Sequence, residues 1–258
     1  MVIFSHFPVF TIAFLAAVIG AILVAIIRNW VSVHLLTSHH EVAFPIFLQI
    51  GVIYAVLLAF TFSLVLNQLG ESFAQAKIET TNLLTLAQLA PGFPEKNRRM
   101  IEDSLTDYTR NVIDSEWPKM AHHQEDHHVG EILSKLQKIY LNIDPRTLRE
   151  EVIYSISLEH LAQLRENRRA RIFIATEPQL INPLILLTML GLIVIGISYF
   201  FGMRRLWAQM ILTGSLIFTI TAILMVIFML SNPFSGKFSI TPHVFENTLI
   251  RIEELKAE

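Results

Sequence analysis

The residues with the most evident chemical capacity lie in one short stretch, His122-His123-Gln124-Glu125-Asp126-His127-His128, whose imidazoles and carboxylates are donors that a transition metal accepts. The stretch falls between two helical patterns, and a dedicated histidine site needs further groups that fix each ring. A solvated loop is therefore the expectation, with no metal and no cofactor. His39 and His40 read the same way. No P-loop, GxSxG or HExxH spacing occurs, and no nucleophile, base and acid stand out together, so an enzyme is not expected. The absence of Cys removes thiolate catalysis, disulfides, and zinc or iron–sulfur sites built on Cys. A different kind of chemistry, the passage of ions, is available to Gln49, Ile53, Val56, Phe60, Ser63 and Asn67. These succeed one another at three- and four-residue steps, with amides and a hydroxyl toward the ends and bulky apolar groups between, which is enough for a pore wall with a dry constriction. Helix packing with a polar end explains the same face, because hydroxyls and amides often bridge membrane helices.

The elements that would carry that face are membrane spans. The chain has 258 residues, 53% of them hydrophobic and 16% charged, and a mean hydropathy of +0.51, well on the apolar side of soluble domains. A bilayer core roughly 30 Å thick needs about 20 apolar residues of helix. Four uncharged runs qualify, at residues 7–27, 42–66, 180–201 and 207–230. The first is too long for the apolar core of a signal peptide and has neither a basic start nor a small-residue cleavage site, so it reads as a real span. Trp30, Tyr199 and Trp207 fall at span ends, where amphipathic rings favour the interface, and Gly20, Gly51, Gly191, Gly196 and Gly214 permit close helix packing. No span contains a charged residue, which weakens a proton-coupled or charge-driven transporter.

Between spans two and three, residues 67–178 hold 14 of the 20 Lys/Arg and 17 of the 22 Asp/Glu. Apolar residues recur there at helical spacing over 73–90, 96–116, 130–141 and 145–174, for example Leu148, Val152 and Ile156, and Leu161 with Leu164. Asp144-Pro145 suggests an N-cap with a first-turn proline behind it, and Ala90-Pro91-Gly92-Phe93-Pro94 a break. Only Asn67, Gln68 and Gly70 separate span two from the first of these patterns, so the second membrane helix is expected to continue into the insert. The helix ending near Thr176-Glu177-Pro178 is expected to lead into span three in the same way. The predicted fold is thus an all-α integral membrane protein with four transmembrane helices and a helical extramembrane stalk. Its parts are residues 1–66 with two spans, the insert 67–178, residues 179–236 with two spans and an Asn-Pro-Phe-Ser-Gly end motif, and a C-terminal tail, 237–258.

A formal charge of −2 and the lack of a long basic run give no reason to expect nucleic acid. Arg28, Arg204 and Arg205 lie in the short loops and the six-residue N-terminal tail has no Lys or Arg, so the positive-inside rule puts the short loops in the cytoplasm and the insert and both termini outside. Arg165, Arg168, Arg169 and Arg171, just ahead of span three, argue the other way, although Glu159, Glu166 and Glu177 accompany them. A bacterial inner membrane is the expected location.

Three stretches together resemble the bestrophin-like family of bacterial and plant membrane proteins, whose domain has no assigned function. They are Val52 to Asn67 (VIYAVLLAFTFSLVLN), Asp114-Ser115-Glu116-Trp117-Pro118, and Ser231-Asn232-Pro233-Phe234-Ser235-Gly236 with Ser239-Ile240-Thr241-Pro242 behind it. In that family a comparable helix, Glu-Trp-Pro element and C-terminal motif recur in this order. True bestrophins are oligomeric anion channels with pores lined by the second membrane helix, and they carry Asn-Pro-Phe-Gly and then an acidic run. Here Ser235 and Gly236 come after Phe234 and no acidic run exists, which removes the ligands that a calcium clasp would need. The resemblance implies a homo-oligomeric ion channel in the lipid bilayer, conducting small anions, with Gln49, Ile53, Val56, Phe60, Ser63 and Asn67 lining the pore. It also implies a structural role for Trp117, Pro118 and Asn232 to Gly236; Pro233 would end span four, and Gly236 would allow a turn that folds Phe234 back onto the bundle. The alternative is a non-conducting membrane scaffold or sensor whose insert binds a partner or ligand. Fold-level analogy does not decide between them.

Overall fold

The computed structural model describes residues 7–30, 40–177, 181–203, 205–236 and 239–257. Among these residues no strand occurs, and the chain is an all-α membrane protein whose helices include four long and apolar enough to cross a bilayer. In order they are α1 (Phe7–Trp30), α2 (His40–Leu89), α3 (Glu95–Asn111), the short α4 (Trp117–Met120), α5 (His127–Leu141), α6 (Leu148–Thr176), α7 (Ile181–Ser198), α8 (Leu206–Leu230) and α9 (His243–Ala257). His39, Pro178 and Arg204 lie outside the described residues, and so does the expected passage from α6 into span three.

The chain divides into two compact units, residues 1–67 with 179–231 and residues 68–178 with 232–258. In the first, α1 lies along α8, and a glycine on each helix admits the close approach. A Cβ at Gly20 would stand 2.0 Å from Ile217 Cδ1, and one at Gly214 would stand 3.5 Å from the Ala17 carbonyl oxygen. Such close approach supplies the dispersion contacts that hold membrane helices together where lipid removes the hydrophobic drive. Gly51 and Gly196 make no such approach, so only part of the glycine set serves packing. The α2 helix buries Tyr54, Leu58 and Val65 against Leu187 and Val194 of α7 and Ile220 and Ile227 of α8. Elsewhere it stands off from α1 and α8, leaving an apolar groove of about 780 Å³ whose walls include Val9, Phe47, Leu58 and Val226.

The second unit has its own core. It centres on Leu83, Leu86, Ile101, Leu105, Tyr108, Leu136, Tyr140 and Leu164, with Phe234, Phe245 and Ile252 from the C-terminal stretch. The C-terminal stretch therefore completes this unit rather than ending as a free tail, and the end motif groups with the insert instead of with the membrane helices. Two further expectations shift. The α6 helix begins three residues after Pro145, at Leu148, and its N-cap is Thr147. The Thr147 hydroxyl accepts the Glu150 amide and the Glu150 carboxylate accepts the Arg146 amide, so local hydrogen bonding places the start beyond Asp144-Pro145. Leu148, Val152 and Ile156 are exposed, whereas Ser157, Leu161, Leu164, Arg168 and Arg171 are buried. The buried stripe runs one residue out of phase with the apolar one, which on a helix is a turn of about 100°.

Candidate functional site

Two constellations present themselves, one on α2 and one in the core of the second unit. On α2 the sequence-derived stripe stays on one side. Gln49, Ile53, Val56, Phe60, Ser63 and Asn67 are all exposed, Val56 and Phe60 by 63% and 62%. The residues that touch the rest of the unit, Tyr54, Leu58, Thr61 and Val65, occupy the opposite side. Thr61 returns its hydroxyl to the Leu57 carbonyl and so adds no unpaired polar group to that contact. Packing among the described residues therefore does not account for the stripe. It carries no charge, and its polar side chains stand toward its two ends.

The second constellation is one that reading the sequence alone does not assemble. The α3 helix passes into a π-helical turn, Val112–Glu116, that delivers Glu116 and then Trp117 at the start of α4. A π turn carries one residue more than an α turn and so re-aims the side chains beyond it. Glu116 points into the core, where it meets Glu79 of α2 and Arg168 and Arg171 of α6. Arg171 donates through Nε to Glu79 Oε2 at 2.8 Å and through Nη2 to Glu79 Oε1 at 2.9 Å and Glu116 Oε1 at 2.7 Å. Its Nη1 lies 3.0 Å from the Met120 sulfur. Arg168 donates through Nε and Nη2 to Glu116 Oε2, and through Nη2 to the Asp126 carbonyl. The Tyr108 hydroxyl completes the set by donating to Glu79 Oε1 at 2.6 Å.

Two carboxylates against two guanidiniums leave the cluster neutral, and Glu79, Glu116 and Arg171 are closed off from solvent. Burial works against charge on Arg171, but Glu79 and Glu116 outweigh it and hold its pKa well above the usual arginine value. Burial, reinforced by Glu79, pushes the Tyr108 hydroxyl well above the usual tyrosine value. Arg171 and Tyr108 therefore keep their protons across ordinary pH, and all four carboxylate oxygens of Glu79 and Glu116 already accept hydrogen bonds. The cluster has no free base or acid to offer and works as a fastener between α2, the π turn and α6.

The end motif meets the cluster from the other side. Pro233 and Phe234 are buried, Gly236 takes φ +86°, and the Ile240 amide donates to the Pro233 carbonyl at 2.7 Å. That loop lays Phe234 edge-on against Trp117, 5.4 Å between ring centres, with Phe245 of α9 at 5.5 Å on another side. Trp117 Nε1 donates to the Ile240 carbonyl at 3.0 Å, and the Arg171 guanidinium sits 5.4 Å from the Trp117 ring and 5.3 Å from that of Phe245. Phe234 thus folds back onto the insert core. Asn232 and Ser235 are half-buried, with the Asn232 carbonyl accepting the Ser235 amide at 3.4 Å, and Pro118 is exposed.

In the histidine stretch, His122, His123, His127 and His128 are exposed. His123 has φ +59°, and its Nδ1 lies 2.8 Å from the Ala175 carbonyl of α6. Asp126 faces inward, taking the Ser115 hydroxyl, Lys119 Nζ and the His128 amide, and so caps α5. Burial alone would raise its pKa, but the hydrogen bonds from Lys119 and Ser115 win and pull it down to about 2. The carboxylate that made this stretch resemble a metal site is occupied by capping. Among the described residues no group of three or more His, Asp or Glu side chains could hold a metal ion.

The signal that could have revealed Glu79, Glu116, Arg168 and Arg171 is positional. Glu79 interrupts the stripe Ala76, Leu83, Leu86, and Arg168 and Arg171 interrupt Leu161, Leu164, Ile172, Ala175. A charge on the buried face of an amphipathic helix requires a buried partner.

Comparison with known proteins agrees with this architecture. The bestrophin-like domain profile matches residues 14–245. No curated protein matches the chain. Among solved structures, a bacterial bestrophin homologue from Klebsiella pneumoniae with a tryptophan-to-alanine substitution is similar over 98% of this chain and 99% of its own, at 14% identity and a TM-score of 0.74. Its tryptophan-to-phenylalanine form gives 0.72 at 14% identity, over 95% and 98%. A membrane protein with a leucine-to-alanine substitution gives 0.71 at 13% identity, over 96% and 99%. At such identities the likeness concerns the fold, and together with the profile it places the chain in the bestrophin-like family.

Proposed function

We propose that the chain assembles into a closed homo-oligomer around a pore lined by Gln49, Ile53, Val56, Phe60, Ser63 and Asn67, and that it conducts ions, small anions in particular. The observation that carries this reading is the α2 stripe itself: uncharged, polar toward its ends, apolar between, and exposed, without a packing partner among the described residues. Amides turned to hydrocarbon would lose their hydrogen bonds, whereas at the mouths of a water-filled path they keep them. Symmetric closure supplies that path by bringing equivalent faces together. Phe60 then forms or adjoins the narrowest ring, and Ser63 and Asn67 a wetter zone beyond it. Rings of bulky apolar side chains gate by dewetting, and the missing carboxylates leave anions unopposed.

Anion flux into liposomes holding purified protein tests the reading. Phe60→Ala should raise flux, and Asn67→Asp should lower anion preference. Zero flux from both wild type and Phe60→Ala, with intact oligomers, would favour a scaffold or sensor. The bacterial inner membrane is the proposed location, with the insert on the side opposite Arg28, Arg204 and Arg205 and, from those charges, outside. The Cys-free chain makes this accessible: His122→Cys and Arg205→Cys should label with an impermeant thiol reagent from opposite sides, and labelling from one side would refute four crossings.

A further inference from the structure

Beside the buried cluster the second unit has a polar cleft of about 620 Å³, whose walls include Arg165, Arg168 and Arg169 of α6 and Gly130 and Ser134 of α5. Arg168 is 8% exposed and commits Nε and Nη2 to Glu116 and Asp126. Its Nη1 faces Gly130, where a Cβ would stand 3.3 Å away, and has no acceptor among the described residues. A buried guanidinium therefore aims two N–H groups into the cleft past a residue with no side chain. Arg169 is exposed and carries no carboxylate partner among the described residues, and Arg165 donates to Gln137.

Two carboxylates oppose them. Glu125 lies 3.6 Å from Arg168 Nη2 with its side chain 40% exposed, and Glu131 points outward, 3.7 Å from His128. Glu116 is already committed to Arg168 and Arg171 on the buried side. A rim carboxylate on a half-exposed side chain is displaced far more readily than a buried one.

We propose that this cleft binds a phosphate group, on a soluble phosphomonoester or on the headgroup of an anionic lipid, held by Arg168 Nη1 with Arg165 and Arg169 and in competition with Glu125. Guanidinium N–H groups pair with the oxygens of a phosphate, and a donor already fixed by burial, here the single Nη1 of Arg168, costs little entropy to use. The apolar wall of Leu133, Ile172 and Phe173 accommodates the carbon portion of either ligand.

The test uses the full chain in detergent at constant ionic strength, titrated with inorganic phosphate, glycerol 3-phosphate and short-chain phosphatidic acid, with short-chain phosphatidylcholine as control. Saturable binding is expected, weakened about tenfold or more by Arg165→Ala with Arg169→Ala, since charge-assisted hydrogen bonds of this kind are lost. Glu125→Gln should tighten binding about threefold, a change that a purely structural role for the arginines does not produce. Arg99→Ala, on an exposed arginine of α3, should leave binding unchanged. Response to all three phosphate probes identifies a free phosphate as sufficient, and response to phosphatidic acid alone identifies a lipid headgroup. Unsaturable responses, or equal affinities in wild type and the double variant, would overturn the proposal.

Discussion

Arg171 donates to both carboxylate oxygens of Glu79, 92 positions earlier in the chain, and neither side chain reaches solvent. The contact fixes α6 to α2, and through Glu116 it also fixes the Glu-Trp-Pro element, so three elements distant in sequence share one cation. Isolated, any of these charges would carry a large desolvation cost; together they are hydrogen-bonded and neutral.

Removing both partners should therefore cost less than the two single removals added together. Glu79→Gln and Arg171→Met are each expected to cost about 3–5 kcal/mol, the usual cost of stranding a buried charge. The double variant should cost clearly less than the sum. Unfolding in detergent, read as a double-mutant cycle, checks this, and additive losses would mean that the pair is not coupled.

Phe234 should act as the pin for the C-terminal helix. Its ring is 5% exposed and lies against Trp117, so Phe234→Ala should cost about 3–5 kcal/mol and speed amide exchange throughout α9. The ion pair between Arg110 and Glu253 also joins α9 to α3, but both side chains are about half exposed. Arg110→Ala should accordingly change stability by about 1 kcal/mol or less. Similar exchange rates in the two variants would contradict the assignment.

Asp126 sets an acid limit. Its carboxyl titrates near 3.8 when unperturbed and near 2 in the fold, so the stability it contributes is complete above about pH 4 and is lost as the pH falls toward 2. Asp126→Asn should flatten the fall in melting temperature across that window. Parallel curves for wild type and variant would show that the capping contacts contribute nothing.

The spans were legible because a 20-residue uncharged run has few alternatives in a chain of this kind, and the small residues at Gly20 and Gly214 named part of their contacts. The α2 stripe was legible for the same reason, since a helix fixes which residues share a side. The buried cluster was not, because its members come from α2, the π turn and α6, and the partner of a charge is set by tertiary structure rather than by spacing. Likewise Leu148, Val152 and Ile156 form an apolar stripe by sequence, yet Arg168 and Arg171 draw α6 into the core on a neighbouring face. The ordinary capping role of Asp126, with Lys119 and Ser115 as its partners, was hidden for the same reason.

Single cysteines in the Cys-free chain test most directly whether one side of α2 lines a water-filled path. Cysteine replacing Ile53, Val56, Phe60 or Ser63 should react with a water-soluble thiol reagent in reconstituted protein and change anion flux on modification. Cysteine replacing Leu58 or Val65, which are buried on the opposite side of α2, should do neither. A reactive stripe with reagent-sensitive flux is the predicted result; uniform protection of Ile53, Val56, Phe60 and Ser63, with flux absent or indifferent to the reagent, would contradict a pore along this face.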